Sequence, residues 1–307
     1  MAKITSGEHP TTKRRGGRRP FRGAAINLFY LPALIVLVVF IIYPLITGLG
    51  YSLTDWDGYN PDMNFIGLDN YTAMFHDTNF WPILRNTFIY GVGSTLIQQI
   101  LGLGLALVLN ARIKGRNLMR AVIYLPALIS PVIMGTMYYF IFQYQQGALN
   151  TVLSWFGHDK VLWFQNSGLA IGIIVIINSI QFFGVSMIIY LAGLQGIDRS
   201  VMEAASLDGA SGWKKFWYIT LPLLRPAFTT SVVLNLIGGL KLYDVISVLT
   251  GGGPGYATNS MSTYISKTYF DNQTAGYASA IGVVLFILIA IITFLMNTGL
   301  NKLGRDE

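Results

Sequence analysis

Two amide side chains interrupt an otherwise apolar stretch of the sequence, and their chemistry suits binding better than catalysis. Asn178 and Gln181 are three positions apart, so a helix would place them on one face. Polar groups inside apolar helices are costly and usually face protein or water. The pair therefore predicts either hydrogen bonds between neighbouring helices, worth about 1 kcal/mol each, or contacts with the hydroxyl groups of a polar ligand.

The next apolar stretch along the chain contains a second set of polar residues, Lys241, Tyr243 and Asp244. We expect them at nearly the same depth in the membrane as Asn178 and Gln181. In a continuous helix Lys241 and Asp244 would share a face, and we expect their opposite charges to neutralise each other. In an earlier apolar stretch, Gln98 and Gln99 are expected to pack against other helices or to line water.

The polar segment between these two stretches predicts a pair of short helices. Ser200 and Glu203 have the spacing of a capping box, so the first helix should begin immediately after Ser200. Gly209 suits the left-handed conformation that ends a helix, and Ser211 is expected to cap the second helix. Pro222 should mark the end of that second helix. The segment is a compact helical elbow, suited to docking into a groove on another protein.

Catalytic and metal-binding classes find no support in the sequence. Cysteine is absent, which excludes disulfides and thiolate chemistry, and His9, His76 and His158 are scattered. The chain contains neither a P-loop motif nor a hydrolase signature, so any ATP would be hydrolysed by another subunit. The basic N-terminal segment has no accompanying aromatic or fold signal for nucleic-acid binding. The expectation is a chain that is not an enzyme and carries no cofactor.

Composition predicts an all-α, polytopic membrane protein. Hydrophobic residues make up 53% of the 307 residues and charged residues 11%, whereas soluble domains carry about 25% charge. A membrane-spanning helix needs about 20 apolar residues. Six stretches meet that length: Ala24–Leu49, Asn86–Leu109, Ala121–Phe142, Leu169–Leu191, Ala227–Leu249 and Gly276–Leu295.

The distribution of basic residues predicts the orientation of these spans. Lys and Arg cluster in the two tails and in the loops after the second and fourth stretches, whereas the remaining loops carry mostly acids with Lys160 and Lys267. Because basic loops stay in the cytoplasm, both termini and the loop containing Glu203 should be cytoplasmic. The first stretch is longer than the apolar region of a signal peptide and is expected to be retained.

The predicted domain organisation follows from the spans. Residues 1–23 form a basic cytoplasmic tail, and residues 24–299 form one six-helix transmembrane domain. Its large cytoplasmic loop covers about 193–225, and residues 300–307 form a second tail.

The spacing of the elbow resembles a known motif. Glu203-Ala204-Ala205, Gly209 and Ile219-x-Leu221-Pro222 match the cytoplasmic loop of binding-protein-dependent ABC importer permeases. Residues 65–71 and 248–254, the latter followed by Thr263-Tyr264, are similar to outer loops of the carbohydrate, MalF-type subclass. The chain resembles the short form of these sugar permeases, which lacks the large periplasmic insertion.

The resemblance implies a type I ABC importer permease fold in the plasma (inner) membrane of a prokaryote. It implies a second homologous permease subunit, two ABC ATPase subunits that bind ATP and Mg²⁺, and an extracytoplasmic solute-binding protein that delivers a sugar or oligosaccharide. This chain would be a transport subunit in contact with membrane lipid and without nucleic acid. A homodimer is possible, although the resemblance is to one of two unlike permeases.

The resemblance also implies functional residues. Coupling to the ATPase would involve Glu203, Ala204, Ala205, Asp208 and Gly209. Alignment from the elbow, with polar neighbours at the same level, implies a substrate pathway formed by Asn178, Gln181, Phe182, Val185, Gly239, Leu242, Tyr243 and Asp244. On the aligned fourth helix only the asparagine keeps the residue type of the maltose permease, which argues against maltose itself as cargo.

Two alternatives follow from the same residues. An unpaired Lys241 would attract glycerol phosphate or an acidic saccharide into the same type of importer. A secondary transporter or a membrane enzyme belongs to another class, and an ion-coupled transporter should show repeats, broken helices and buried ion-coordinating groups. Asp244 is the one acidic residue within the predicted spans, so the sequence gives little support to an ion-coupled transporter.

Overall fold

The computed structural model describes residues 30–111 and 113–302, with side chains described up to residue 299. The chain divides into two units, residues 1–47 and 48–307. The described residues are largely helical, and their only β-type pairing is an isolated bridge between Thr54 and Phe65. The predicted tail 1–23 and residues 24–29 of the first stretch lie outside the described residues.

The helices follow the apolar stretches closely. Four of them contain a single π-helical turn, a local widening that is common at functional sites. The helices are α1 (Leu31–Tyr51), α2 (Asp69–His76), α3 (Phe80–Asn110), α4 (Arg116–Leu128), α5 (Pro131–Phe142), α6 (Ala148–Trp155), α7 (Ser167–Gln195), α8 (Arg199–Leu207), α9 (residues 212–223), α10 (Arg225–Leu240), α11 (Asp244–Leu249), α12 (Met261–Ser266, extended by the π turn Lys267–Asp271) and α13 (Ala275–Lys302).

Five helical segments of the described chain are long and apolar enough to span a membrane: α1, α3, α7, α10 with α11, and α13. The third predicted stretch differs, because a straight helix over Ala121–Phe142 is wrong. Helices α4 and α5 meet at 93°. Ile129 and Ser130 are extended between them, as expected for backbone next to Pro131, which disfavours helical geometry in the residue before it. The pair counts as one span only if the bend lies within the membrane.

The fifth predicted stretch is also interrupted. Helix α10 ends at Leu240 and α11 begins at Asp244, and Tyr243 between them adopts φ −128° and ψ −61°. Backbone that leaves helical geometry inside a membrane must lie in protein or line a water-filled cavity, since lipid cannot satisfy its polar groups. Both interruptions adjoin the same cavity, which is lined by Pro131 from the first and by residues 241–244 from the second.

Helices α3 and α7 form the most extensive helix–helix interface in the described residues. Two buried amides of α3 bond across it. Gln98 Nε2 donates to the backbone carbonyl of Asn178 at 3.1 Å, and Gln99 Oε1 accepts from the hydroxyl of Tyr190 at 2.6 Å. The expected packing role of Gln99 is confirmed, and Gln98 has the additional role described below.

The start of α3 contacts the segment that follows the glycine run at residues 251–253. Asn86 Nδ2 donates to the carbonyl of Ala257 at 2.7 Å and lies 3.3 Å from that of Asn259. The hydroxyl of Thr87 accepts from the Met261 backbone N–H at 2.9 Å. Buried polar groups of α3 thus fix the segment that follows the glycine run, about 170 positions away in the sequence.

The close approach of α3 to α7 yields a test of packing. A Cβ added at Gly102 would lie 2.5 Å from the Cβ of Ser186 and 3.0 Å from the Met187 backbone nitrogen. Gly102→Ala should therefore destabilise the protein by about 1–3 kcal/mol through overpacking. Gly104→Ala, on the same helix, is the matched control, because a Cβ added at Gly104 would have no neighbouring atom of the described residues within 4 Å. Thermal unfolding in detergent measures both, and equal midpoints for the two variants would contradict this packing.

Candidate functional site

A cavity of about 360 Å³ lies where α3, α5, α7, α10 and α11 meet. All the residues that the resemblance assigned to the substrate pathway line it, although they come from separate helices. These residues are Asn178, Gln181, Phe182, Val185, Gly239, Leu242, Tyr243 and Asp244. We name this space the central cavity.

The amide groups of the central cavity have unused bonding capacity. Gln98 and Gln181 are both buried, and no described residue bonds to the Oε1 atom of either one. No hydrogen bond joins the side-chain amide of Asn178 to another described residue. Because a buried amide oxygen without a partner is costly, these groups are suited to accept hydrogen bonds from a ligand or from water.

Gln181 also supports the bend between α4 and α5. Its Nε2 atom donates to the Ile129 carbonyl at 3.1 Å, and that carbonyl belongs to the extended backbone next to Pro131. Gln181 therefore joins neighbouring helices, as one of the two alternatives predicted. The second alternative, contact with a ligand, would use the Oε1 atom of Gln181, to which no described residue bonds.

The expectation that Lys241 and Asp244 neutralise each other is wrong. Both residues line the central cavity, yet they form no ion pair and neither pairs with another described residue. The i,i+3 argument requires a continuous helix, whereas the chain leaves helical geometry between Leu240 and Asp244. The helix break therefore places one ammonium and one carboxylate separately at the cavity.

Sequence reasoning missed one polar cavity-lining residue, Asn235 on α10. Its Nδ2 atom donates to Ser186 Oγ on α7 at 2.5 Å. The signal that selected Asn178, an amide within an apolar helix, is equally present at Asn235, so applying that criterion to every span would have found it. Gln98, which the sequence gave a packing or water-lining role, lines the cavity from α3.

A second conspicuous segment is the elbow formed by α8 and α9. Its first helix begins at Arg199, and its cap is Asp198, whose carboxylate accepts from the Ser200 N–H at 2.9 Å. The predicted capping box of Ser200 and Glu203 is therefore wrong, because an acidic residue two positions earlier takes the N-cap position. Hydrogen bonds from Ser200 lower the pKa of Asp198 below its ordinary value.

The end of α8 agrees with the sequence. Gly209 has φ +77°, a left-handed conformation, and the Ala210 N–H bonds the Ala205 carbonyl at 3.0 Å in a Schellman-type closure. Ser211 caps α9 as predicted, with its hydroxyl oxygen 3.5 Å from the Lys214 N–H. Helix α9 ends at residue 223, within one position of Pro222.

A lysine holds the two helices of the elbow together. Lys215 Nζ on α9 donates to the Met202 carbonyl at 3.1 Å and to Ser206 Oγ at 2.5 Å, and both acceptors lie on α8. At the far end of α9, Leu224 is fully buried in the cluster that also contains Tyr190 and Leu194 of α7. The elbow is thus a packed unit anchored to the base of the bundle.

The predicted coupling residues lie together on the elbow. Glu203, Ala204, Asp208 and Gly209 are exposed, and Ala205 is buried against the rest of the chain. Apolar side chains next to them are also exposed, with Leu207 at 89% and Trp213 at 71%. The surface combines an acidic residue with large apolar side chains, a composition suited to a protein partner.

Comparison with known proteins identifies the family. The family described as "Binding-protein-dependent transport system inner membrane component" matches residues 98–303, more than half of the chain. The chain belongs to this family of ABC importer permeases. The match spans the central cavity and the elbow, so both features lie within the family's common region.

Curated relatives match this permease over nearly their whole length. It is 36% identical to the trehalose/maltose transport system permease protein MalF of Thermococcus litoralis, over 91% of this chain and 92% of the relative. It is 35% identical to the probable starch degradation products transport system permease protein AmyD of Thermoanaerobacterium thermosulfurigenes, over 87% and 90% respectively.

A solved structure shows the same fold. A chain from the crystal structure of a bacterial ABC transporter involved in the import of the acidic polysaccharide alginate superimposes with a TM-score of 0.80 and 26% identity. The superposition covers 92% of this permease and 97% of that chain. The fold is the type I permease fold of ABC importers, as the resemblance implied.

The capping of α8 leads to a prediction. Asp198→Ala should fray the start of α8 and speed amide hydrogen exchange over residues 199–203, whereas Asp198→Asn should keep the cap. Because the pKa of Asp198 is lowered on folding, the ionised carboxylate stabilises the helix fully above its ordinary pKa of 3.8. That stabilisation is lost as pH falls through the lowered value. Exchange measured by mass spectrometry that is identical in all three proteins would refute this capping role.

Proposed function

We propose that this permease forms, with a second permease subunit, the membrane pathway of an ATP-driven importer for a saccharide. A solute-binding protein outside the membrane delivers the saccharide, and two ATPase subunits drive the cycle. The relatives named above are permeases of trehalose/maltose and starch-product transport systems, and the alginate transporter forms a complex with an oligosaccharide-bound periplasmic protein. These names support the cargo class.

The proposal places the elbow and both termini in the cytoplasm. Six spans satisfy this arrangement if α4 and α5 together count as one, and the distribution of Lys and Arg agrees with it. The central cavity then lies between the membrane faces, where a pathway alternately open to either side would hold its cargo.

The observation that carries the proposal is the unused bonding capacity of the central cavity. Gln98, Gln181 and Asn178 line a cavity that is also lined by the rings of Phe182 and Tyr243, and no described residue bonds to the oxygens of the two glutamines. Amides bond sugar hydroxyls, and aromatic rings pack against the apolar faces of sugar rings. Because these groups lie on different helices, helix movement would change the cavity's affinity for cargo, as alternating access requires.

The elbow is proposed to couple this cavity to the ATPase. Glu203 and the exposed side chains of Leu207 and Trp213 would dock in a cleft of the ATPase subunit. Lys215 holds α8 to α9, and Leu224 is buried beside α7, which lines the cavity. A packed unit transmits displacement because it moves as one body.

An acidic saccharide is the second candidate. Lys241 lines the central cavity without an ion-pair partner among the described residues, and the structurally similar alginate transporter imports an acidic polysaccharide. Asp244 lies on the same cavity and opposes this preference. A neutral cargo remains the first candidate because the uncharged amides and aromatic rings outnumber the two charged side chains of the lining.

Variants of the central cavity test the pathway. In proteoliposomes with all partner subunits, Asn178→Ala should lower uptake at limiting sugar about three- to tenfold, the effect of losing one or two hydrogen bonds to cargo. Asn117→Ala is the control, since Asn117 is an exposed amide outside the cavity. If the cargo is neutral, Lys241→Gln should leave its uptake unchanged. If the cargo is an acidic saccharide, the same variant should lose the preference for acidic over neutral sugars. Normal saturation kinetics in Asn178→Ala would exclude this residue from the pathway.

The coupling residue has its own test. Glu203→Ala should leave the complex assembled, while ATP hydrolysis stimulated by the loaded binding protein falls about fivefold or more, within the range of coupling free energies. The Asn178→Ala complex is expected to retain its basal ATP hydrolysis, which separates a pathway defect from a coupling defect. Unchanged transport by Glu203→Ala would remove this residue from the coupling role.

A further inference from the structure

A second cavity, of about 650 Å³, lies where the ends of α3, α4 and α7 meet the start of α8. Its distinguishing feature is three arginines, Arg116 and Arg120 on α4 and Arg199 on α8. Among the residues that the structure describes, no acidic side chain lines it. We name this space the arginine cavity. It is separate from the central cavity, with which it shares no lining residue.

The three guanidinium groups lack compensating charge. Among the described residues, none of the three forms an ion pair. Arg116 and Arg120 are four positions apart on one helix, an arrangement in which like charges destabilise the helix. Asp198 precedes Arg199, but its carboxylate bonds the Ser200 N–H of its own helix and does not line the cavity.

One N–H donor of Arg120 has no hydrogen-bond partner among the described residues. One of its terminal nitrogens, Nη2, donates to the Leu109 carbonyl at the end of α3 at 2.8 Å, which is an ordinary helix C-terminal contact. Its Nε atom is buried and has no partner in the described structure. A buried charged donor without a hydrogen-bond partner is costly. The contact with the end of α3 therefore satisfies Nη2 of Arg120 but not its Nε atom.

From these observations we propose that the arginine cavity binds a phosphate-bearing anion. Guanidinium groups recognise phosphate through paired, charge-assisted hydrogen bonds. Three of them around one cavity offer enough donors to surround such a group, and the bound anion would remove the repulsion between Arg116 and Arg120.

A phospholipid headgroup and a soluble phosphate present the same chemistry to these arginines. The exposed apolar side chains of α4, Leu118, Val122 and Leu125, lie on the helix face opposite Arg116 and Arg120 and do not line the cavity. The source of the phosphate is therefore distinguished by the experiment below.

The site would act on the elbow. Arg199 belongs to the first turn of α8, whereas Arg116 and Arg120 belong to α4. One anion in contact with all three would tie the proposed coupling helix to a helix adjoining the bend next to the central cavity. Occupancy would therefore stiffen the link between them, independently of which cargo the permease carries.

The experiment compares two single-charge variants in the intact complex. The purified complex is placed in nanodiscs of phosphatidylcholine, and its thermal midpoint is followed as phosphatidylglycerol or, separately, inorganic phosphate is added. Native mass spectrometry counts retained phosphatidylglycerol. Arg116→Gln should weaken phosphatidylglycerol binding about tenfold, as loss of a charge-assisted contact predicts. Lys114→Gln, two positions before Arg116 in the sequence but outside the cavity, should bind as the wild type does.

Each outcome decides the proposal. Stabilisation by phosphatidylglycerol alone, lost in Arg116→Gln and kept in Lys114→Gln, supports the lipid headgroup. Equal stabilisation by inorganic phosphate with the same variant pattern supports the site and assigns it to a soluble anion. An equal loss in both variants would reveal diffuse surface charge and overturn it, as would no effect of either anion on the wild type. If the Arg116→Gln complex fails to assemble, Arg116→Lys replaces it, because this variant keeps the charge but removes the paired contact. Phosphatidylglycerol binding by Arg116→Lys at the wild-type level would also refute the site.

Discussion

The contact between α3 and α7 is the interaction on which the other features depend. The two helices approach so closely at Gly102 that no side chain larger than hydrogen fits against Ser186 and Met187. The same interface sets Gln98 beside Asn178 and Gln99 beside Tyr190. Since lipid is as apolar as the helix surfaces, association in a membrane relies on such close packing and on hydrogen bonds between helices. Loss of this register would displace one wall of the central cavity.

Interrupted helices shape the cavity that this packing holds open. Pro131 ends the helical geometry between α4 and α5, and the chain leaves it again between α10 and α11. Each interruption frees backbone groups that lipid could not satisfy. Between α4 and α5, Gln181 donates to the Ile129 carbonyl. Between α10 and α11, Ser260 donates to the Leu242 carbonyl. The polar side chains of this region thus stabilise the broken backbone and give the cavity its bonding groups.

The elbow, to which we assign the coupling role, is held together at several points. Asp198, the closure at Gly209 and the Lys215 contacts fix both ends and the interior of the elbow. The buried Leu224 fastens it beside α7. The elbow therefore has few ways to deform internally, and under the proposed coupling a displacement applied at its exposed face would reach the helices around the central cavity. The arginine cavity adds a further connection, through Arg199, between the elbow and α4.

The sequence alone determined the helical class, the positions of most spans, the elbow with Gly209 and Ser211, and the family, because apolar length, helix-ending residues and motif spacing are local properties. It also supplied, through the family resemblance, a set of residues that the fold gathers around one cavity. Tertiary structure decided the rest. The bend before Pro131, the separation of Lys241 from Asp244, and the selection of Asp198 over Ser200 as the cap depend on the backbone geometry of the folded chain, which residue periodicity does not encode. The inclusion of Gln98 and Asn235 in the cavity, and the meeting of Arg116 and Arg120 with Arg199, depend on which helix faces pack together, and that is settled only when distant segments meet.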